Sequence, residues 1–264
     1  MQFRVPRPLH GWREFLGEVG IIVIGVLIAL GAQQVIETMH SRSQAAAAEQ
    51  RIKNELAGNS ADGVERLAVG PCLTQRIATI ATGLAGGRTE WSALVYKPLP
   101  QMPTALGEIY HKPSRNWVMG AYHESIANGD LDSIAPERRG ELALNYSQIA
   151  ALGELNNSEQ DLSETLAPLQ FNPTLSQAER NQMIVALARL DLANGVIMLV
   201  VRQTFQSDHR LGLEVPADQL FTVATAGRSW PEELASLRGV YGNCVDATAL
   251  EQYQDIAVRG AKAP

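Results

Sequence analysis

The stretch VGIIVIGVLIALGA, from Val19 to Ala32, decides the reading of this chain: fourteen consecutive residues carry no charge and no strongly polar side chain. Fourteen alone are too few to span a bilayer. Phe15 and Leu16 on one side and Val35 and Ile36 on the other extend the apolar segment to 22 positions. As a helix that is about 33 Å long, against a hydrocarbon core of about 30 Å. Glu18, Gln33 and Gln34 lie near its ends, where polar groups reach the interface, and Trp12 suits an interfacial anchor. The expectation is one transmembrane helix over 15–36, a short leader over 1–14, and an extramembrane domain over 37–264.

A cleaved secretory signal is the competing reading. Arg4, Arg7 and Arg13 supply a basic leader, and Ala29-Leu30-Gly31 offers a small-x-small cleavage site. Glu14 and Glu18 interrupt that pattern, and the helical sequence runs on through Gln33-Gln34-Val35-Ile36-Glu37, which favours an uncleaved anchor. For orientation, the three leader arginines are nearly matched by Arg42, Arg51 and Lys53 beyond the span. The short leader and the large domain favour N-terminus in, domain out. Residues 37–264 hold 19 Lys+Arg and 26 Asp+Glu, a net charge of −7, so an anionic cytoplasmic leaflet would not attract them. The bacterial inner membrane, with the main domain in the periplasm, is the expected location.

Working outward, 45% apolar and 19% charged residues over 264 positions exclude wholesale disorder. Basic residues spread thinly through an acidic chain exclude a nucleic-acid binder, which needs clustered positive charge. Two cysteines 172 positions apart exclude a disulfide miniprotein and a cysteine-rich zinc module. In an oxidising compartment Cys72 and Cys244 are expected to pair; in a reducing one they are ordinary buried thiols.

Gly17-Glu18-Val19, Ile22-Val23, Gly25-Val26-Leu27-Ile28-Ala29-Leu30 and Glu37 together resemble the opening of an uncharacterised family of bacterial single-pass membrane proteins. Its anchor reads Gly-Glu-Ile-x-Leu-Val-x-x-Gly-Ile-Leu-Ile-Ala-Leu. Trp117, Ala121, Ser125, Gly129 and Leu131, with Tyr146 beyond, resemble a second element of that family. The resemblance implies a membrane-anchored helical protein with no assigned activity, and it carries over no catalytic residue.

The outer domain reads as mainly α and bundle-like. Ala45–Ala48, Ile52, Leu56, Val64 and Leu67 form an apolar stripe that is expected to break at Gly58-Asn59 and to end at Gly70-Pro71, where Pro71 opens the next helix with Leu73, Ile77, Ile80 and Leu84. Residues 86–116, with Pro98, Pro100, Pro103 and Pro113, read as a long loop. Asp132 or Ser133 would cap a helix with Pro136 in its first turn and Leu142, Tyr146, Ile149, Leu152 and Leu155 as its ladder. After a turn at Asn172-Pro173-Thr174, Thr174 or Ser176 would cap a long helix carrying Met183, Leu187, Leu190, Ile197, Val201 and Phe205, antiparallel to the one before it. Leu213–Val215 and Leu220–Val223 could be short strands. Helices from Trp230 and over 245–258 would complete the chain.

Catalytic motifs are missing. His123-Glu124-Ser125-Ile126-Ala127 begins like a zinc helix, but Ala127 stands where the second ligand belongs. No Gly-x-Ser-x-Gly elbow exists, and the glycine-rich Thr82–Arg88 lacks the end of a phosphate loop. No cofactor or metal is expected. Tyr110, Arg115, Trp117, Tyr122 and His123 form the densest mixture of aromatic and polar groups, a candidate pocket, although an ordinary helix burying Trp117 and Tyr122 explains them as well. Asn194 interrupts the apolar stripe of its helix. Glu18, Gly25, Ala29 and Ala32 share one face of the membrane helix, where small residues allow a second helix to approach. The functional expectation is an accessory or interaction subunit of an inner-membrane assembly without catalysis of its own. Its partners would be the bilayer and another membrane protein, with self-association open. A periplasmic ligand-binding domain signalling through a partner is the alternative.

Overall fold

A computed structural model describes residues 12–96, 107–113, 115–224 and 227–260. The leader up to residue 11 and the loop prolines Pro98, Pro100 and Pro103 lie outside the described residues. The described chain is mainly helical, with seven α-helices, α1 Trp12–Ala85, α2 Gly120–Ala127, α3 Pro136–Glu164, α4 Gln177–Leu211, α5 Ala217–Ala224, α6 Trp230–Tyr241 and α7 Ala249–Gly260, and short 3-10 turns at Ser92–Leu94 and Ala167–Phe171. Among the described residues there is no strand, only an isolated antiparallel bridge between Tyr96 and Glu108.

The organising element is α1, 74 residues in one helix, about 110 Å long. Its N-terminal part, apolar and long enough to cross a membrane, contributes nothing to the core: among the described residues the first buried one is Ala45. From there the same helix becomes the central strut of the domain. Residues of α1 serve two apolar clusters in succession along the helix. One gathers Ala48, Ile52 and Leu56 with Leu142, Tyr146 and Ile149 of α3 and Leu211 of α4. The other gathers Val64, Leu67, Leu73, Ile77, Ile80 and Leu84 with Leu187, Leu190, Ile197, Val201 and Phe205 of α4 and residues of α5–α7.

The direction of each helix follows from its contacts with α1. Arg138, Tyr146 and Glu159 of α3 bond Glu49, Glu55 and Arg66 in ascending order, so α3 runs parallel to α1. Asp208, Asn194 and Arg180 of α4 bond Ser60, Arg66 and the Leu84 carbonyl, so α4 runs antiparallel. The result is a three-helix bundle with the smaller helices around it. Ser176 caps α4 in a capping box with Glu179, and Gly212 in the left-handed region (φ 61°) ends it.

Several sequence expectations are corrected. The helix does not break at Gly58-Asn59 or end at Gly70-Pro71. Pro71 sits inside α1 with its ring toward solvent, where it removes one backbone donor. Next to that gap the Ala68 carbonyl takes the backbone N–H of Asp246 at 2.8 Å. Gly70 lies against α4, where an added Cβ would stand 2.3 Å from the Met198 sulfur. The strands expected at 213–215 and 220–223 are absent: the first is an extended linker and the second lies within α5, with Leu220 and Phe221 both buried. Ala135, not Asp132 or Ser133, occupies the cap of α3, with Pro136 in its first turn.

Candidate functional site

One row of polar residues of α1, Glu55, Asn59, Asp62, Glu65 and Arg66, recurs at helical spacing and faces the other elements of the domain. Each meets a group on another element. Glu55 accepts from the backbone N–H groups of Ala121 (2.7 Å) and Tyr122 (3.4 Å) at the start of α2, and from the Tyr146 hydroxyl (2.7 Å). A carboxylate at that helix end satisfies donors that have no partner within the helix. Asn59 grips the backbone of Val118 from both sides, its amide donating to the carbonyl at 2.8 Å and its oxygen accepting from the N–H at 2.9 Å. Glu65 takes two hydrogen bonds from the Arg115 guanidinium, 2.5 and 3.0 Å. The segment 115–119 is thereby tied along α1.

At the next position of α1 begins a buried ionic centre. Arg66 donates to Glu159 of α3 (2.6 Å) and to Asn194 of α4 (2.9 Å). Asn194 in turn donates to the Gly70 carbonyl (3.1 Å) and to Thr74 (3.0 Å). The Tyr110 hydroxyl donates to Glu159 (2.9 Å), and Lys112 donates to Asn156 (2.8 Å) with its ammonium 3.9 Å from Glu159. Burial and the Glu159 charge hold the Tyr110 hydroxyl well above its usual range, and burial lowers Lys112. A third buried group, Asp208, accepts from Ser60 (2.8 Å) and Asn145 (2.7 Å), and burial pushes its carboxyl up to about 7.

Against this frame the candidate pocket divides. Tyr110 belongs to the ionic centre, and Arg115 to Glu65 and Asp62 (3.6 Å). Trp117 packs between the two apolar clusters and Tyr122 stacks on Tyr146 with ring centroids 4.1 Å apart, while His123 is exposed. The five do not face one cavity. A cleft of about 360 Å³ does exist nearby, lined by Glu108, Tyr110, His111 and Lys112 on one wall and by Gln160, Ser163 and Gln170 on the other.

Cys72 and Cys244 form a disulfide with Cα atoms 5.1 Å apart, joining α1 to the segment before α7. Glu18, Gly25, Ala29 and Ala32 lie exposed along α1, and nothing stands within 4 Å of an added Cβ at Gly25. Sequence reasoning missed the inward polar row of α1. Its signal was the recurrence of Glu55, Asn59, Asp62 and Arg66 at steps of three and four beside an equally periodic apolar stripe. Chemically, Asp62, Glu65 and Arg66 pair with charges on other elements while Glu55 and Asn59 hold backbone groups, an arrangement that fixes elements to one another. Among the described residues no group of three His, Cys, Asp or Glu side chains is placed to hold a metal ion. Comparison with protein-family models, curated proteins and solved structures finds no match to this chain.

Proposed function

We propose that the protein is a single-pass inner-membrane protein whose α1 spans the bilayer over 15–36 and carries a periplasmic interaction domain, an accessory subunit of a membrane assembly. The observation behind this reading is the uninterrupted passage of α1 from a fully exposed apolar segment into the centre of the bundle. Such a helix leaves the domain rigidly attached to whatever holds the apolar segment. The disulfide is compatible with an oxidising compartment, and the resemblance of the anchor to a single-pass family points the same way. The small face of Gly25, Ala29 and Ala32 suits a second membrane helix.

The test has two arms. Alkaline extraction should leave the protein in the membrane pellet, and a C-terminal reporter active only in the periplasm should be active; release into the supernatant refutes the anchor. Affinity purification in mild detergent should then retain a defined partner that the Gly25→Leu/Ala29→Leu variant loses.

The cleft beside Lys112 supports a second reading, a ligand-binding outer domain. A saturable thermal shift with a small polar molecule, absent from a Gln160→Trp variant that still melts cooperatively, would favour it over the interaction subunit.

A further inference from the structure

The outer side of α4 carries a second pattern that the bundle does not use. Its inner side is core, through Met183, Leu187, Leu190, Ile197, Val201 and Phe205. On the opposite side Val185, Leu192 and Leu199 recur every seven residues and remain 52%, 69% and 54% exposed. Ala188 and Gly195, both exposed, fall between them, and a Cβ added at Gly195 would meet nothing within 4 Å. Large residues at one heptad position and small ones at the other make a coiled-coil seam into which a second helix can settle closely. The seam ends where Arg202, the next position in the series, turns its guanidinium toward Gln252 of α7 (3.4 Å).

We infer that a second copy of this chain covers the seam, with the two α4 helices parallel. Charge supports that occupant. The seam carries none from Ala178 to Leu199, and in a parallel pair Arg189 lies across from Ile184 and Asp191 across from Val196, so identical copies bring no like charges together. Size sets the strength of the contact. A contact about 33 Å long and one helix wide covers on the order of 300 to 400 Å² per copy, well short of the roughly 800 Å² per partner of a stable soluble complex. That is a fit for molecules already confined together, where the second encounter is effectively intramolecular. The parallel arrangement rests on the anchored reading, because two copies in one bilayer share a two-fold axis along its normal, and α4 runs alongside α1. Three helix packings in series, at about 8–10 Å each, hold the two α1 helices roughly 25 to 30 Å apart. The small face of the membrane helix stays free for a different partner.

The test uses full-length protein in native membranes, with the native cysteines paired and one new cysteine at a time. Under mild oxidation Val185→Cys and Leu199→Cys should each run at twice the monomer mass on non-reducing gels, above wild type and above Leu144→Cys, an exposed position on α3. Leu192→Arg in the Val185→Cys background should lose that dimer while keeping its helix content. No dimer above the Leu144→Cys control overturns the proposal, as does a dimer that survives Leu192→Arg. Cross-linking only between co-expressed Val185→Cys and Leu199→Cys chains also overturns it, since that pairing is antiparallel. Membrane retention scored on the same samples separates failure of the seam from failure of the anchor.

Discussion

Arg66 of α1 and Glu159 of α3 meet at 2.6 Å with their side chains 5% and 0% exposed, and the Lys112 ammonium, equally enclosed, lies 3.9 Å from the same carboxylate. The pair sits where three helices converge, since Arg66 also reaches Asn194 of α4. Removing Arg66 leaves Glu159 away from water with only the Tyr110 hydroxyl and the more distant Lys112 ammonium to hold its charge. Arg66→Ala is therefore expected to cost about 3 to 5 kcal/mol, and the triple replacement Arg66→Met/Glu159→Leu/Lys112→Met, which removes every charge of the centre, less. Urea denaturation of detergent-solubilised protein, followed by circular dichroism, measures both; equal losses in the single and triple variants would show that unpaired charge is not the source.

The disulfide closes a loop of 172 residues. In the chain-entropy account a loop of that size stabilises the fold by about 5 kcal/mol, with measured values more often about 2 to 4. Cys72→Ala/Cys244→Ala should lower the thermal midpoint markedly, and reductant should lower the wild type but not the variant. An unchanged midpoint in both would mean that Cys72 and Cys244 are not paired in the protein tested.

Two carboxyls give the stability a pH dependence. Asp208 is pushed up to about 7 by burial, with the Glu214 charge adding to the rise and Ser60 and Asn145 opposing it. Asp62 is likewise pushed up to about 7 by burial, against the pull of Arg115. In the unfolded chain such groups titrate near pH 4. Between about pH 4 and 7 the folded state thus binds more protons, so these groups lower the stability as the pH rises through that window. The thermal midpoint of Asp208→Asn should fall less steeply than that of wild type from about pH 5 to 7.5. Parallel curves would assign the dependence elsewhere.

Close approach of α1 and α4 makes one glycine sensitive. A Cβ at Gly63 would lie 2.9 Å from Val201 and 3.0 Å from the Phe205 ring, neither of which can swing aside freely, whereas Gly58 has open space. Gly63→Ala should destabilise by about 1 to 3 kcal/mol through overpacking. Gly58→Ala should stabilise by up to about 1 kcal/mol through helix propensity. Both are read from denaturation midpoints, and a stabilised Gly63→Ala would mean that the two helices part easily.

The sequence carries α4 clearly because its apolar steps, its cap at Ser176 and its Gly212 stop are all local. It hides the length of α1 because the residues that look like breakers are used at a distance. Asn59 serves the backbone of Val118, and Gly70 serves the approach of α4 and the amide of Asn194. Leu213 and Val215 alternate as a strand would, yet they occupy a linker without a neighbouring strand to pair with. The ionic centre was illegible for a related reason: Arg66 finds its partners 93 and 128 positions away, beyond the reach of any local spacing rule. The candidate pocket gathered neighbours in sequence whose side chains serve different helices.

One consequence of the unbroken α1 concerns height and leverage. Ala45, the first core residue, comes nine positions after Ile36, about 14 Å along the axis. With the apolar segment in a bilayer, the domain stands just clear of the lipid headgroups at a fixed standoff, with no swivel beneath it. Any partner that turns the domain must turn the anchor by the same angle, and any tilt of the anchor sweeps the far end of the helix, some 60 Å beyond Ala45, through a wide arc.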